Sequence, residues 1–121
     1  MKQNVAVLGA SSNPERYSNK AVRMLLESGH QVFPIHPIES SIEGLQVFPS
    51  LERLPEKIDS LSIYVGPQHI GPLIPSIIQA KPGRVILNPG TESEELEKAL
   101  QGAGIPYMEA CTLVLLRTNQ F

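Results

Sequence analysis

The segment that follows the first apolar run, residues 9–20, holds residue types that can bind phosphate. A loop of small residues leading into a helix presents unpaired backbone N–H groups and the positive end of the helix dipole, and both favour an anion. Serine hydroxyls add further donors. Positive side chains at a helix start oppose the dipole, so a bound anion would explain their presence here. The candidate ligands in this segment are Gly9, Ser11, Ser12, Arg16, Ser18, Asn19 and Lys20. Ser18 or Asn19 is expected to cap the helix.

The dipeptide His36-Pro37 follows the second apolar run and gives a second candidate contact. A dinucleotide-binding domain usually places Asp or Glu on the ribose hydroxyls, about 20 residues beyond its glycine motif. His36 at this place can stack on adenine or donate a hydrogen bond to a phosphate oxygen. Glu39, three residues further, leaves a ribose contact to NAD open. Both kinds of adenine nucleotide therefore remain possible ligands.

Later apolar runs end at Gly66-Pro67 and at Asn88-Pro89-Gly90, which adds Gly66, Asn88 and Gly90 to the candidates. Glycine permits tight turns and the close approach of backbone to a ligand. The carboxyl ends of parallel strands meet at one edge of a sheet, where ligands bind. We therefore expect all of these candidates to converge on one edge.

No catalytic or metal-binding set is predicted. A hydrolase needs a nucleophile, a base and an orienting acid, and the chain offers Ser11, Ser12, His36, His69, Glu109 and Cys111 as residue types only. The sequence GASSN lacks the second glycine of a nucleophile elbow. The single cysteine has no clustered partners for zinc and is interpreted as a small hydrophobic residue on an edge strand.

The elements that must position these residues are apolar runs alternating with segments of helical spacing. Helices are expected from Ser18 to Gly29, around residues 70–78, and after a capping box at Thr91 and Glu94, ending at Gly102 and Gly104. A short LQVF run, a small helix capped by Ser50 and a final apolar tail complete the pattern. Strands are expected at residues 3–8, 31–35, 61–65, 84–87 and 105–109. This alternation predicts an α/β fold with a doubly wound, mainly parallel five-stranded sheet and helices on both faces.

Composition favours one domain over residues 1–121. The chain is 41% hydrophobic and 18% charged, which is enough apolar content for a core. A net charge of −2 offers no broad basic surface, so no nucleic-acid partner is expected. Every apolar run is shorter than the roughly 20 residues that span a bilayer, and no signal-peptide pattern opens the chain. We therefore expect no membrane contact and a cytoplasmic location.

The chain resembles the small stand-alone CoA-binding proteins, whose domain is similar to the N-terminal CoA-binding domain of the succinyl-CoA synthetase alpha subunit. The features that carry the resemblance are VAVLGASSNPERYSNKA, VFPIHP, EGLQVFPSLERLPEKIDSLSIYV and GIPYMEACTLVLL. The resemblance implies a Rossmann-like fold with the CoA phosphates over the first loop and the adenine near the second strand end. The run ILNPG and the apolar residues Leu113 to Leu116 depart from the pattern of the relatives.

The function that this resemblance implies is non-catalytic binding of coenzyme A or an acyl-CoA. The synthetase carries its phosphorylated histidine on another domain, so its chemistry is not implied for this chain. Two alternatives remain: a sensor of NAD(H) or another adenine nucleotide, and a CoA-binding component of a ligase or transferase completed by a separate chain. An edge strand and the apolar tail make a homodimer plausible.

Overall fold

The structure, a computed structural model, describes residues 2–121; Met1, the first residue of the predicted domain, lies outside them. Five parallel strands form the sheet, in the order β2-β1-β5-β6-β7. The chain runs from β1 outward to β2 and then returns to place β5 on the other side of β1. This reversal confirms the doubly wound, Rossmann-like fold and puts the expected ligand crevice at the carboxyl ends of β1 and β5. The strands are β1 Asn4–Leu8, β2 Gln31–Ile35, β5 Ser60–Ile63, β6 Arg84–Leu87 and β7 Tyr107–Glu109.

Both faces of the sheet are buried, as the continuous apolar runs predict. Val5 and Val7 of β1 pack with Val22 and Leu25 in one core cluster. Alternate residues of the same strand join the cluster on the other face, with Ile77, Leu96 and Leu100. The helices are α1 Tyr17–Glu27, α2 Pro67–Ile70, α3 Ile74–Ala80, α4 Glu94–Ala103 and α5 Thr112–Arg117. No helix within residues 2–121 has the length and apolar character needed to cross a bilayer.

The predicted start of α1 is wrong by one residue, and its predicted caps are wrong. The helix begins at Tyr17, its N-cap is Arg16 in extended conformation, and no side chain caps it. Ser18 and Asn19 lie inside the first turn and are buried. Asn19 does not act as a cap, because its Oδ1 accepts from Arg23 Nε at 2.8 Å. Its Nδ2 donates to the Ser11 carbonyl, at 2.9 Å, and to Glu43 Oε2, at 3.1 Å.

The capping box predicted for α4 is also wrong. Ser93 is the N-cap, and its hydroxyl oxygen accepts from the Leu96 N–H at 3.1 Å. The Thr91 hydroxyl donates to the Asn88 carbonyl at 2.7 Å and closes the preceding turn. The helix ends at Gly104 with φ +72°, as predicted, whereas Gly102 lies within it.

No α-helix lies between β2 and β5, contrary to the predicted alternation of strands and helices. A hairpin of β3 Ser41–Ile42 and β4 Leu45–Gln46 takes its place, followed by a single 3-10 turn at Leu51–Arg53. Glu43 and Gly44 both have positive φ, which is the backbone geometry of a tight two-residue hairpin. The turn after Ser50 has no side-chain cap.

The apolar residues of the C-terminal tail form α5, a helix that the sequence pattern did not predict, and α5 packs beside α1. Its buried residues are Thr112 and Leu113. Cys111 is not on an edge strand: it follows β7 and is the N-cap residue of α5. The predicted Pro-rich helix is α2 and α3 joined by a 3-10 turn at Gly71–Leu73.

Candidate functional site

Three cavities lie side by side along the carboxyl ends of the strands and form one groove. The first cavity, about 160 Å³, lies between Gly9, Pro37, Leu51 and Val65. The second cavity, about 180 Å³, is lined by Gly9, Ser11, Arg16, Tyr17, Ser18 and Tyr64. The third cavity, about 300 Å³, is lined by Tyr17, Tyr64, Asn88, Pro89, Cys111, Leu113 and Arg117. Neighbouring cavities share residues, so the groove follows the strand order from β2 to β7 without a break.

Two larger depressions are separate from the second and third cavities. One, about 310 Å³, adjoins the first cavity, with which it shares Leu51, Glu52 and Ser76, and its Glu52 and Glu56 carboxylates would repel an anion. The other, about 370 Å³, contains His30. Burial lowers the pKa of His30, and its Nδ1 accepts a hydrogen bond from the Gln3 N–H at 3.0 Å, which favours the neutral ring. Neither depression offers the free cations of the groove, so the groove is the better candidate site.

Gly9 joins three strands at the centre of the groove. It has φ +86°, and a Cβ there would lie 3.0 Å from Val65 Cγ2 and 3.1 Å from the Tyr64 carbonyl oxygen. On the other side, the N–H groups of Gly9 and Ala10 donate to the Ile35 carbonyl at 3.2 and 3.1 Å. The backbone of the loop is thus held against β2 and β5, and only glycine fits at this position.

Hydrogen bonds within the loop fix its shape after Gly9. The Ser11 hydroxyl accepts from the Asn13 N–H at 3.1 Å and keeps its own proton to donate. The Asn13 side chain accepts from the Glu15 N–H at 3.0 Å. Asn19 holds the Ser11 carbonyl from below, and Arg23 donates to the Pro14 carbonyl at 3.0 Å. A ligand would therefore meet a preorganised loop.

The first turn of α1 opens on the second cavity. Its leading N–H groups have no intrahelical acceptor, and no side chain caps them. Arg16 is exposed and lines the cavity, while Lys20 Nζ lies 5.3 Å from the centre of the Tyr17 ring. Neither cation forms an ion pair within residues 2–121. These donors and cations together suit an anion such as a diphosphate.

His36 and Ser12 are both engaged by Glu39. His36 Nδ1 accepts from the N–H groups of Ile38 and Glu39 at 3.1 and 3.0 Å, so a neutral ring carries its proton on Nε2. That Nε2 lies 3.9 Å from Glu39 Oε2, which accepts from the Ser12 N–H at 3.3 Å. Hydrogen bonding from Ser12 lowers the pKa of the Glu39 carboxyl, and His36 adds to this effect. Glu39 therefore ties the β1 loop to the β2 end.

We expect the Glu39–Ser12 contact to be lost in acid. Because the pKa of Glu39 is lowered in the folded protein, the stabilisation from this contact is fully present above the ordinary carboxyl pKa of about 4.3. The stabilisation disappears as the pH falls through the pKa of Glu39 in the folded protein. An NMR titration of the Ser12 amide should report this transition. Glu39→Gln should abolish it, whereas Glu15→Gln in the same loop should leave it unchanged. A Ser12 transition that persists in Glu39→Gln would contradict the assignment.

A buried polar network lies beneath the third cavity. Asn88 Nδ2 donates to Ser62 Oγ and to the Ile63 carbonyl, both at 2.9 Å, and Asn88 Oδ1 accepts from the Thr112 N–H at 2.8 Å. The hydroxyls of Ser62 and Thr112 are 2.8 Å apart. The side chain of Asn88 therefore uses both its amide nitrogen and its carbonyl oxygen for hydrogen bonds inside the protein, and these bonds link β5, β6 and α5.

The Tyr64 hydroxyl is buried and has no hydrogen-bond partner within residues 2–121. Burial raises the pKa of Tyr64 to about 12, although nearby Thr112 and Ser62 pull the pKa down. Tyr64 is thus neutral near pH 7.

No group of three or more His, Cys, Asp or Glu side chains placed to hold a metal ion occurs in the described part of the chain.

The structure brings half of the predicted site residues to the groove walls. Gly9, Ser11, Arg16, Ser18, Pro37 and Asn88 line the three cavities. The other six predicted residues, which line none of the three, are Ser12, Asn19, Lys20, His36, Gly66 and Gly90. Gly66 is the N-cap of α2, and the Gly90 N–H donates to Glu92 Oε1 at 3.0 Å. His69, considered above as a catalytic type, is exposed.

Sequence reasoning missed the aromatic and C-terminal walls of the groove: Tyr17, Tyr64, Leu113 and Arg117. Tyr64 lies near the end of the strand predicted at residues 61–65, so its position close to a strand end was a usable signal. Tyr17 stands beside Arg16, just before the predicted helix, which was a second signal. Leu113 and Arg117 line the groove because they lie on α5, a helix that the sequence pattern did not predict.

Residues 3–117 match the protein-family model described as CoA binding domain. Among curated proteins, 67 residues are 30% identical to the alpha subunit of ADP-forming acetate–CoA ligase II of Pyrococcus furiosus, covering 54% of this chain and 14% of that subunit. A separate match over 62 residues is 24% identical to the uncharacterized protein YneT of Bacillus subtilis, covering 51% of this chain and 46% of YneT. The chain thus spans less than half the length of either curated relative.

Solved structures resemble the whole fold. The Thermus thermophilus protein called cell-free ID.343 superposes with a TM-score of 0.90 at 33% identity, over 98% of this chain and 90% of that one. The dinucleotide-forming acetyl-coenzyme A synthetase 1 of Ca. Korarchaeum cryptofilum, in complex with phosphate and ADP, superposes with a TM-score of 0.76 at 25% identity. That match covers 89% of this chain and 25% of the synthetase.

Proposed function

Because the chain belongs to the CoA binding domain family, we propose that it binds coenzyme A along the groove at the strand ends. The observation that carries the proposal is the open first turn of α1, which faces the second cavity with Arg16 exposed beside it. Uncapped N–H groups, a helix dipole and free cations are the donor set that a diphosphate requires. The diphosphate of coenzyme A is proposed to lie in the second cavity.

The adenine end is proposed to lie toward β2. The first cavity is lined mainly by apolar residues, including Pro37, Leu51 and Val65, which suits the flat face of a purine. His36 lies next to Pro37, and its Nε2 is 3.9 Å from Glu39 Oε2, so a phosphate oxygen would have to displace this contact. Glu39 is engaged with Ser12 and His36, which disfavours the alternative in which it binds the ribose of NAD.

Binding without chemistry is the activity that the groove supports best. The titratable side chains that line the second cavity, at its centre, are Arg16, Tyr17 and the neutral Tyr64, and no base within residues 2–121 is hydrogen-bonded to Ser11. A thermal-shift titration against CoA, NAD, NADH and ATP tests the proposal. A ligand at about 100 times its Kd stabilises by roughly 2.7 kcal/mol, a shift of several degrees in a domain of this size. A shift with NADH and none with CoA would overturn it.

Arg16→Ala is expected to weaken CoA binding by about 1–3 kcal/mol, roughly 5- to 150-fold in Kd, because a charge-assisted contact to phosphate is lost. Isothermal titration calorimetry at fixed ionic strength measures the change. Lys57→Ala is the matched control: it removes one positive charge, and the Lys57 carbonyl pairs with Asn4 at the opposite edge of the sheet. If both variants lose the same affinity for CoA, the effect comes from net charge and not from a contact. If Arg16→Ala loses no affinity, Arg16 does not contact the ligand.

A second candidate function is that of a CoA-binding component in a ligase of more than one chain. The resemblance to the alpha subunit of ADP-forming acetate–CoA ligase II favours it. The test is to combine the purified protein with the other ligase subunit of its own organism and assay ADP formation from ATP, acetate and CoA. ADP formation that needs both chains supports this function, and formation by the other subunit alone contradicts it.

A further inference from the structure

We propose that the third cavity receives the acyl group of an acyl-CoA, so that the protein binds acyl-CoA more tightly than free CoA. The proposal rests on the CoA-binding function proposed above and names the ligand class of the same groove.

The third cavity continues the groove in the direction in which the ligand would run. Tyr17 and Tyr64 line both the second and the third cavity, so no wall separates them. Four interstrand spacings lie between β2 and β7, which makes the edge about 19 Å wide. With the adenine at β2 and the diphosphate at the Gly9 loop, the remaining arm of coenzyme A and its sulfur point toward β6 and β7.

The walls of the third cavity suit an apolar group. Leu113, Pro89 and the two tyrosine rings line it, and Arg117, which is exposed, is its one charged residue. Tyr17 is 69% exposed, an unusual state for a large aromatic side chain beside a cavity. A free thiol would cover little of this surface. An acyl chain would remove it from water, at about 0.8 kcal/mol per methylene, or roughly fourfold in affinity.

The floor of the third cavity is rigid, which limits the length of chain it can hold. Asn88, Ser62 and Thr112 are at most 1% exposed and are bonded to one another. Enlarging the cavity downward would break these bonds. We therefore expect affinity to rise with chain length and then to level off.

The test is calorimetric titration with CoA, acetyl-CoA, butyryl-CoA, hexanoyl-CoA and adenosine 3′,5′-bisphosphate, which carries only the nucleotide part. In the wild-type protein, each added methylene should lower Kd by about two- to fourfold until the cavity is filled. Cys111→Phe should place a ring in the third cavity and make Kd independent of the acyl chain. Cys111→Ser, of nearly unchanged size, should keep the chain-length dependence.

Tyr17→Ala provides a second variant if Cys111→Phe does not fold. Tyr17 is exposed at the helix start, and alanine suits a helix, so the fold should survive. The ratio of Kd for CoA to Kd for butyryl-CoA should fall toward one. Equal affinities for CoA and butyryl-CoA in the wild-type protein, or an unchanged ratio in Cys111→Phe or Tyr17→Ala, would overturn the acyl proposal. Failure of both CoA and the bisphosphate to bind would instead overturn the proposed function and this inference with it.

Discussion

Gly9→Ala is expected to lower the free energy of unfolding by about 2–4 kcal/mol and the midpoint temperature by roughly 8–15 °C. Part of the loss is backbone strain, since an alanine at φ +86° costs about 1–2 kcal/mol. The rest comes from the new Cβ, which would lie 3.1 Å from the Tyr64 carbonyl oxygen. Tyr64 cannot move away freely, because its N–H donates to the Leu8 carbonyl at 2.8 Å. Differential scanning calorimetry measures the change.

Gly29→Ala separates the two contributions. Gly29 also has φ +86°, but a Cβ there would meet nothing within 4 Å, so this variant should show the strain alone. The difference between the two variants then gives the cost of the close approach of β1 to β5. If both variants are destabilised equally, the contact between the new Cβ at position 9 and the Tyr64 carbonyl oxygen costs nothing. The close approach of β1 to β5 would then not explain why glycine occupies the centre of the groove.

Asn88→Ala should also cost about 2–4 kcal/mol, because it leaves the buried Thr112 N–H and the Ile63 carbonyl without their partners. The Ser62 hydroxyl keeps its contact with Thr112. Since Asn88 anchors the start of α5, amide exchange in that helix should accelerate more than exchange in α4. Urea unfolding and hydrogen exchange measure the two effects.

Asn13→Ala is the control for Asn88→Ala, because Asn13 is exposed and its side chain accepts one hydrogen bond, from the Glu15 N–H. We expect it to cost less than about 1 kcal/mol. If Asn88→Ala cost no more than Asn13→Ala, the network under the third cavity would not anchor α5. The floor of that cavity would then lack the rigidity that the acyl proposal requires.

The sequence by itself determined the sheet and predicted the edge at which we propose that the ligand binds. Apolar runs ending in glycine or proline predicted the five parallel strands, and α/β alternation predicted the reversal beside β1. Arg16 and the small residues after Gly9 followed from the chemistry of a helix start. These features depend on neighbours a few residues apart, which is the range in which sequence patterns are informative.

Only the tertiary structure decided what the polar side chains at the strand ends do. Asn19 and Asn88 were predicted from the sequence as ligand contacts, and the structure adds that Asn19 bonds to Glu43 and Asn88 to Thr112, each 24 residues away in the chain. A buried amide takes whichever partner the fold brings within hydrogen-bonding distance, and no local pattern encodes that choice. The third cavity arose in the same way, because α5 forms one of its walls only after the chain returns to pack beside α1.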